Sequence, residues 1–391
     1  MDLLEEVNSI YEKMVSWRRH IHQNPEISNQ VPNTTAFIKD QLEQMGYRQF
    51  QRCRQGIIAL AGQEKSGKTL LLRSDMDALP MEEHSNLPFA SAIPKAHTCG
   101  HDLHMAMLLG TAYILKKHEK ELKGCVKLVF QPDEEGLTGA SGMIEDGVLE
   151  SPHVDAAIGI HVLPGSFSCD SIGCSSGPVM ASSDRFRITI LGKGGHGAIP
   201  HKARNPINAA TDIVTSLQEL SAYEIDAMQP NVITVCSLHA GDAPNIIPEQ
   251  AQLEGSVRTY DEKVREEVKK RIQEIAILSS KKFRNQCCVA FTGSTPPLIN
   301  NEGLINLITS SLTKTNLNII PFPRMMISDD FAQYSQRVPA AYLAIGAGGN
   351  EPQYKNGVLH DPKVIFNENA LCSGAIALSV CSFSFCNGAF G

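Results

Sequence analysis

Apolar residues recur at steps of three and four through the first segment of the chain. Leu4, Val7, Ile10, Met14, Trp17 and Ile21 line one face of a predicted helix that Pro25 ends. A second predicted helix follows Pro32, with Phe37, Ile38, Leu42 and Met45 as its apolar positions and Gly46 as its stop. Beyond it, short continuous apolar runs replace the helical period. IIALA (57–61), TLLLRS (69–74), CVKLVF (125–130) and DAAIGI (155–160) read as buried strands. The stretch from His101 to about Glu119 carries Met105, Leu108, Leu109, Ala112 and Leu115 and reads as a helix between two of them. Strands alternating with helices predict an α/β sheet with covered faces.

From Asp184 the pattern changes. DRFRITIL (184–191) alternates Phe186, Ile188 and Ile190 with Arg185, Arg187 and Thr189, the period of a half-exposed strand. A helix over about 206–220, strands at NVITVCSL (231–238) and AQLEGSVR (251–258), a helix through Val264, Val268, Ile272 and Ile275, and a strand at CCVAFT (287–292) follow. That order is the split β-α-β-β-α-β arrangement of a small ferredoxin-like sandwich. After STPPLINN (294–301) the α/β style resumes with a helix near 303–315 and the strand AAYLAIG (340–346). We therefore expect an α/β domain made of residues 1–183 and 294–391, with a compact α+β domain inserted at 184–293.

Composition narrows the class. A chain of 391 residues is long for one domain, which agrees with two. Apolar content of 42%, charged content of 20% and a net charge of −7 suit a globular protein, and no Lys/Arg block offers a footprint for nucleic acid. The N-terminus, MDLLEEVNSIYEKM, is acidic and amphipathic and lacks the pattern of a signal peptide. No apolar run approaches the roughly 18–20 residues that span a bilayer. Eleven cysteines, an odd number without a framework, read as mostly buried thiols in a reducing compartment, so a cytoplasmic location is expected.

Three predicted strands run directly into polar clusters. TLLLRS leads to Asp75 and Asp77, CVKLVF to Asp133, Glu134 and Glu135, and DAAIGI to His161. In open α/β sheets ligands bind beyond the carboxyl ends of strands. The stretch HTCGHDLH (97–104) opens the next helix and can reach the same crevice. Thiol, imidazole and carboxylate together suit zinc or a neighbouring transition ion rather than magnesium or calcium. Cys99 and His101 can face one ion, and the pair Glu134–Glu135 fits a division between metal ligand and proton carrier. A cysteine hydrolase with Cys99 as nucleophile and His101 as base would leave Glu134, Glu135 and His161 without purpose. A metal-stabilised binding protein would have no use for a spare base such as Glu134.

The sequence resembles the metal-dependent N-acyl-amino-acid amidohydrolases, the aminoacylase and hippurate hydrolase group related to auxin-conjugate hydrolases. The resemblance runs nearly end to end: RRHIHQNPEIS (18–28), SDMDALP (74–80), HTCGHDLH (97–104), QPDEEG (131–136), GIHVLP (159–164), GKGGHGAIPH (192–201), APNIIPEQAQLEGSVRT (243–259), SDDF (328–331) and LHDP (359–362). It implies a zinc-peptidase-like catalytic domain holding two divalent metal ions, zinc first and manganese, cobalt or nickel as alternatives, and an inserted lid that makes a homodimer. Carried over by position, the metal ligands are Cys99, His101, Glu135, His161 and His360. Glu134 is the general base and later acid, Asp77 orients a ligand histidine, and His196 stabilises the oxyanion in the partner's site. Asn245 and Arg258 contact the substrate, Arg258 through its free carboxylate. The implied substrate is a small N-acylated amino acid, with a dipeptidase or carboxypeptidase as the alternative on the same metals. His97 and His104 are expected behind the ligands or at the substrate, and His20 and His22 as structural residues at a helix end. Three departures stand out: Asp329 where a glutamate is usual, Asp133 where an alanine is usual, and Asn205 where an aspartate is usual.

Overall fold

The computed structural model describes residues 3–62 and 67–389, so the first two residues of the acidic N-terminal stretch and the last two of the Cys- and Phe-rich tail lie outside the described residues. The chain forms two compact units. One comprises Met1–Val179, Ile299–Pro323 and Asp329–Gly391; the other comprises Met180–Leu298 and Arg324–Ser328.

The first unit is built on an eight-stranded sheet. Its strands are β1 (Phe50–Cys53), β2 (Gly56–Gly62), β3 (Thr69–Asp75), β4 (Cys125–Gln131), β5 (Ala156–Ser168), β6 (Ser171–Gly173), β7 (Asn318–Ile320) and β8 (Ala340–Gly348), in the spatial order β1-β2-β4-β3-β5-β8-β6-β7. The central run β4-β3-β5-β8 is parallel, whereas β1 and β2 pair antiparallel at one edge. Every residue of β3, β4 and β8 is buried, which explains why the sequence shows continuous apolar runs there instead of alternation. Its helices include α1 (Leu3–Ser9), α2 (Tyr11–Gln23), α3 (Pro32–Gln44), α4 (His101–Lys117), α5 (Glu302–Leu312) and α6 (Ala370–Ser384).

The predicted first helix is in fact two, α1 and α2, with a turn at Ile10. Ser9 sits at the break, its hydroxyl donating to the Glu6 carbonyl at 2.7 Å, a local bond that competes with the helical ladder. Helix α4 is wrapped by core on nearly all sides. A Cβ at Gly110 would lie 2.4 Å from Met14 Sδ and 3.3 Å from Ala375 Cβ, so α2 and α6 approach α4 only because this residue has no side chain. Helix α6 itself is absent from the sequence expectations and corrects one of them. Residues Ala370–Gly388 form a stretch of 19, long and apolar enough to cross a membrane, and most of it is buried inside the protein. Being apolar on every face, it lacks the one-sided period by which a surface helix is recognised.

In the second unit four antiparallel strands run in the order Asn231–His239, Gln250–Thr259, Ser183–Leu191, Gln286–Thr295. Helices Pro206–Glu219 and Glu262–Lys282 supply Ile213, Leu217, Val268 and Ile272 to a core with Phe186, Ile188, Ile190, Leu253 and Val257. Asn205 and Asp261 cap these helices, Asn205 accepting from the Ile207 amide at 3.0 Å, so this departure from the family pattern keeps a capping function. Of the adjacent cysteines in the last of these strands, Cys287 packs on this core and Cys288 is exposed, because neighbours along a strand face opposite sides. Five of the eleven cysteines are buried, fewer than expected.

Helix α1 docks through His118, just past the end of α4. Its Nε2 lies 2.8 Å from Glu6 and its Nδ1 2.7 Å from Glu121. Burial opposes the imidazolium, but the two carboxylates outweigh it and raise the His118 pKa, while Glu6 is lowered despite a similar opposition. A raised folded-state value stabilises below the unfolded value of 6.5 and is lost as pH rises through the folded one. The lowered Glu6 value limits the window on the acid side, below 4.5. His118→Gln is therefore expected to cost stability, by less than about 1 kcal/mol for ion pairs at the protein surface, at pH values between these limits. The deficit should vanish in strongly alkaline buffer, which denaturant titrations at several pH values would reveal.

Candidate metal centre

The centre lies at the carboxyl ends of the parallel strands of the first unit. Strand β3 ends at Asp75 and leads to Asp77; β4 ends at Gln131 and turns into Asp133, Glu134 and Glu135. Strand β5 is last paired with β3 at Gly159, so His161 stands two residues beyond that pairing, on the same rim. The loop carrying Cys99 reaches this rim through Gly100, which has φ +90° and stands 2.3 Å from Val162 Cγ2 at the position of a would-be Cβ. Only glycine combines that backbone with that clearance. His360, also left-handed at φ +64°, is held over Cys99 by its amide, which donates to the Thr98 carbonyl at 3.1 Å.

All five expected ligands converge. Cys99, His101 and His161 offer donor atoms within 4.8 Å of one another, as do Cys99, Glu135 and His360, and His101, Glu134 and Glu135. Cys99 Sγ lies 3.4 Å from His161 Nε2 and 3.3 Å from His360 Nε2. The histidines are oriented from behind. His101 Nδ1 meets the Asp77 carbonyl at 2.7 Å and His161 Nδ1 the Val162 carbonyl at 2.8 Å, so each ring donates there and turns an Nε2 lone pair towards Cys99 and the glutamates. His101 Nε2 is buried with no hydrogen-bond partner, 3.8 Å from Glu134 and 3.7 Å from Asp75. A sulfur, three imidazole lone pairs and a carboxylate aimed at common points fit two divalent cations, and the buried bare Nε2 is otherwise unexplained.

Asp77 meets both the histidine and the glutamates, through different atoms. Its backbone oxygen orients His101, whereas its carboxylate accepts the Glu134 amide at 2.9 Å and the Glu135 amide at 3.2 Å. It thus suspends the two glutamates. The turn is braced from the other side by Asp133, at φ +60°, whose carboxylate accepts from Asn29 at 2.9 Å and from the Thr138 hydroxyl. The extra charge at this departure therefore points away from the ligands.

Below the ligands Arg73 is fully buried and meets three carboxylates: Asp330 at 2.6 Å, Asp75 at 2.7 Å and Asp329 at 3.4 Å. Asp329 also accepts from the Tyr342 hydroxyl, and Glu134, Asp329 and Asp330 come within 4.8 Å of one another. Sequence reading passed over Arg73 and left the place of Asp329 open; an arginine inside an otherwise apolar strand was the available signal, since a buried guanidinium needs carboxylates. The electrostatics follow. Burial, with Asp329, Glu135 and Asp330 nearby, holds the Glu134 carboxyl well above its usual range, and burial likewise raises Asp77. Burial pushes Asp330 up to about 7. Burial opposes the charge on Asp75 and Glu135, but His101, His104 and Arg73 outweigh it for the first, and His360 and His101 for the second, so both are lowered. Burial pulls His161 down to about 4, leaving it neutral, and with Glu135 and Glu134 pushes the Cys99 thiol well up.

Other histidines separate clearly. His104 donates from Nδ1 to Asp75 at 2.6 Å and accepts the Val162 amide at Nε2, which makes it a brace behind the centre. His97 is buried, and neither ring nitrogen has a hydrogen-bond partner. His22 is buried between Asp102 and Glu83, while His20 stacks on Phe37. In the second unit His196 is exposed on a two-residue strand that pairs with Ile246–Ile247, and the Gly197 amide donates to the carbonyl of exposed Asn245 at 2.8 Å. Arg258 is half-buried, its guanidinium 3.5 Å from the Ser328 hydroxyl.

Comparison with known proteins agrees with this geometry. Residues 71–379 match the model of peptidase family M20/M25/M40. The chain is 35% identical over 374 residues to an N-acetyl-L-cysteine deacetylase of Bacillus subtilis (strain 168), covering 95% of this chain and 88% of that one. It is 37% identical over 380 residues to IAA-amino acid hydrolase ILR1-like 5 of Arabidopsis thaliana, covering 94% and 86%. Among solved structures, the Bacillus subtilis YXEP protein, a dinuclear metal binding peptidase, superposes with a TM-score of 0.84 at 30% identity over 96% of this chain and 98% of that one.

Asp77→Ala should leave the carbonyl that orients His101 in place but free the Glu134–Glu135 backbone. We expect metal affinity to fall about 10- to 100-fold, read by equilibrium dialysis against zinc; unchanged affinity would show that the carboxylate is not what suspends the pair.

Proposed function

Because the chain belongs to peptidase family M20/M25/M40, we propose that it hydrolyses the amide bond of N-acyl-amino acids or similar small conjugates. One observation carries the reading. Glu134 is hung beside the donor set by Asp77, 3.8 Å from His101, next to a glutamate that faces the thiol and His360 instead. Cys99, His101, Glu135, His161 and His360 would hold the two ions, and the mixture of sulfur, nitrogen and oxygen donors favours zinc over manganese, cobalt or nickel. When bound, such ions lower the pKa of a water towards about 7 and polarise an acyl carbonyl.

The residues divide the remaining work. Glu134 removes a proton from the attacking water as its oxygen bonds to the acyl carbon, and returns that proton to the nitrogen as the C–N bond breaks, releasing carboxylate and amine. Asp77 keeps the base and its neighbour at fixed spacing. The resemblance to amidohydrolases assigns His196, from a partner copy, to the developing oxyanion, and Asn245 and Arg258 to the substrate, with Arg258 on its carboxylate. It also assigns residues 184–293 to a homodimer contact and residues 1–183 with 294–391 to catalysis. A reducing, cytoplasmic setting belongs to the same reading, since Cys99 ligates only as an unoxidised sulfur.

Glu134→Ala is expected to retain two ions while turnover of N-acetyl and N-benzoyl amino acids falls about 10²–10⁴-fold; near-normal turnover would remove Glu134 as the base. A panel run on metal-stripped protein restored with zinc, manganese, cobalt or nickel decides the substrate. If dipeptides or peptide C-termini are cleaved and N-acyl-amino acids are not, the activity is that of a dipeptidase or carboxypeptidase. Mixing Glu134→Ala with His196→Ala subunits should recover about a quarter of normal activity, because half of the dimers then hold one complete site. Failure of the mixture to recover any would withdraw His196 from the partner's reaction.

A further inference from the structure

The segment RRHIHQNPE has no part in the chemistry described above, yet it places one of the most deeply buried guanidinium groups of the first unit. Arg18, on α2, is 1% exposed. Its Nε donates to Asp102 at 2.7 Å, and its Nη1 to Glu368 at 3.1 Å. Asp102 is the residue after the ligand His101, in the first turn of α4. Glu368 lies on the segment that leads from His360 into α6. A single side chain therefore joins the segment that carries Cys99 and His101 to the segment that carries His360.

The surrounding contacts serve the same junction. His22, one helical turn further along α2, bonds the same oxygen of Asp102 at 2.8 Å and reaches Glu83 at 3.0 Å. The next residue, His84, donates its amide to the Pro362 carbonyl at 2.7 Å, and the His360 amide reaches Thr98. The two ligand-bearing segments thus touch directly at one backbone bond, the loop of Glu83 and His84 ties to the His360 segment by another, and α2 clamps the junction from outside. Arg19 is different: it bonds Glu368 with two nitrogens, at 3.0 and 2.7 Å, but stands half-exposed and makes no contact with Asp102.

We propose that Arg18 is a positioning residue for the metal centre, fixing the distance between the Cys99–His101 segment and His360 through its simultaneous bonds to Asp102 and Glu368. The inference rests on the two-ion reading of the site. A planar guanidinium presents two donors in fixed directions, which a lysine ammonium cannot reproduce across two separate carboxylates. The ion shared by Cys99, Glu135 and His360 depends on that distance, since its donors come from both segments.

The test uses the full chain, with zinc affinity by equilibrium dialysis and the visible spectrum of the cobalt-loaded protein as readouts. Wild type is expected to bind two ions per chain; if it does not, the reading of the site fails before the positioning claim is reached. With two ions in wild type, Arg18→Met should weaken one of them about tenfold or more and change the cobalt spectrum, Arg18→Lys should not restore either, and Arg19→Met should match wild type. Should Arg18→Met fail to fold, Glu368→Ala, at a less buried position, is expected to show the same selective loss. Wild-type affinities and spectrum in Arg18→Met and Glu368→Ala overturn the proposal, even if melting temperature falls, because that pattern belongs to a residue that supports the fold alone.

Discussion

Crowding of negative charge is the constraint around which this protein is arranged. Asp75, Asp77, Glu134, Asp329 and Asp330 are all buried at one end of the sheet, with Glu135 at their edge. Two carboxylates about 4 Å apart repel by roughly 4 kcal/mol at an effective dielectric near 20. Arg73 answers three of them, and His101 and His104 answer Asp75. What remains is an imbalance, visible as the raised Glu134 and Asp77 carboxyls and an Asp330 near neutrality. Two divalent cations correct it, and the imidazole nitrogens facing the same points are the donors such cations take. Binding and local electrostatics are therefore one problem: the site is assembled at the expense of self-repulsion that its ions relieve.

That balance also disposes of the cysteine-nucleophile reading. A nucleophilic cysteine works as a thiolate and sits in electropositive surroundings that lower its pKa. Cys99 is 7% exposed, and burial with Glu135 and Glu134 pushes its thiol in the opposite direction. Such a sulfur loses its proton readily to a metal and poorly to water. The same carboxylates that forbid one chemistry favour the other.

Much of this was legible in the sequence, and for physical reasons. Strands buried on both faces leave continuous apolar runs, so β2, β3 and β4 could be bounded within a residue or two, and the polar residues directly after them marked the rim. The alternating strand at 183–191 revealed its half-exposed face equally well. The misses share a cause. Helix α6 has no polar face, so no period betrays it, and the break at Ile10 depends on a serine hydroxyl whose choice of partner the pattern does not encode. For Asp77, spacing shows that the residue is close to the histidines, while only the fold shows that its backbone oxygen turns His101 and its side chain carries Glu134 and Glu135.

Asp329 shows how such a site absorbs a change in side-chain length. One methylene shorter than the glutamate usual in the resembling sequences, it would fall short if its place were set by reach alone. Here it is fixed at both oxygens: Oδ1 accepts the Phe331 amide at 2.7 Å and lies 3.4 Å from Arg73, and Oδ2 accepts from the Tyr342 hydroxyl. Tyr342 is itself anchored in β8, where Asn300 receives its amide at 2.7 Å and donates to its carbonyl at 3.0 Å. The carboxylate is therefore held by the scaffold beside Glu134 and need not stretch towards it. Its negative charge acts on Glu134 over a distance and favours the protonated form of that carboxyl.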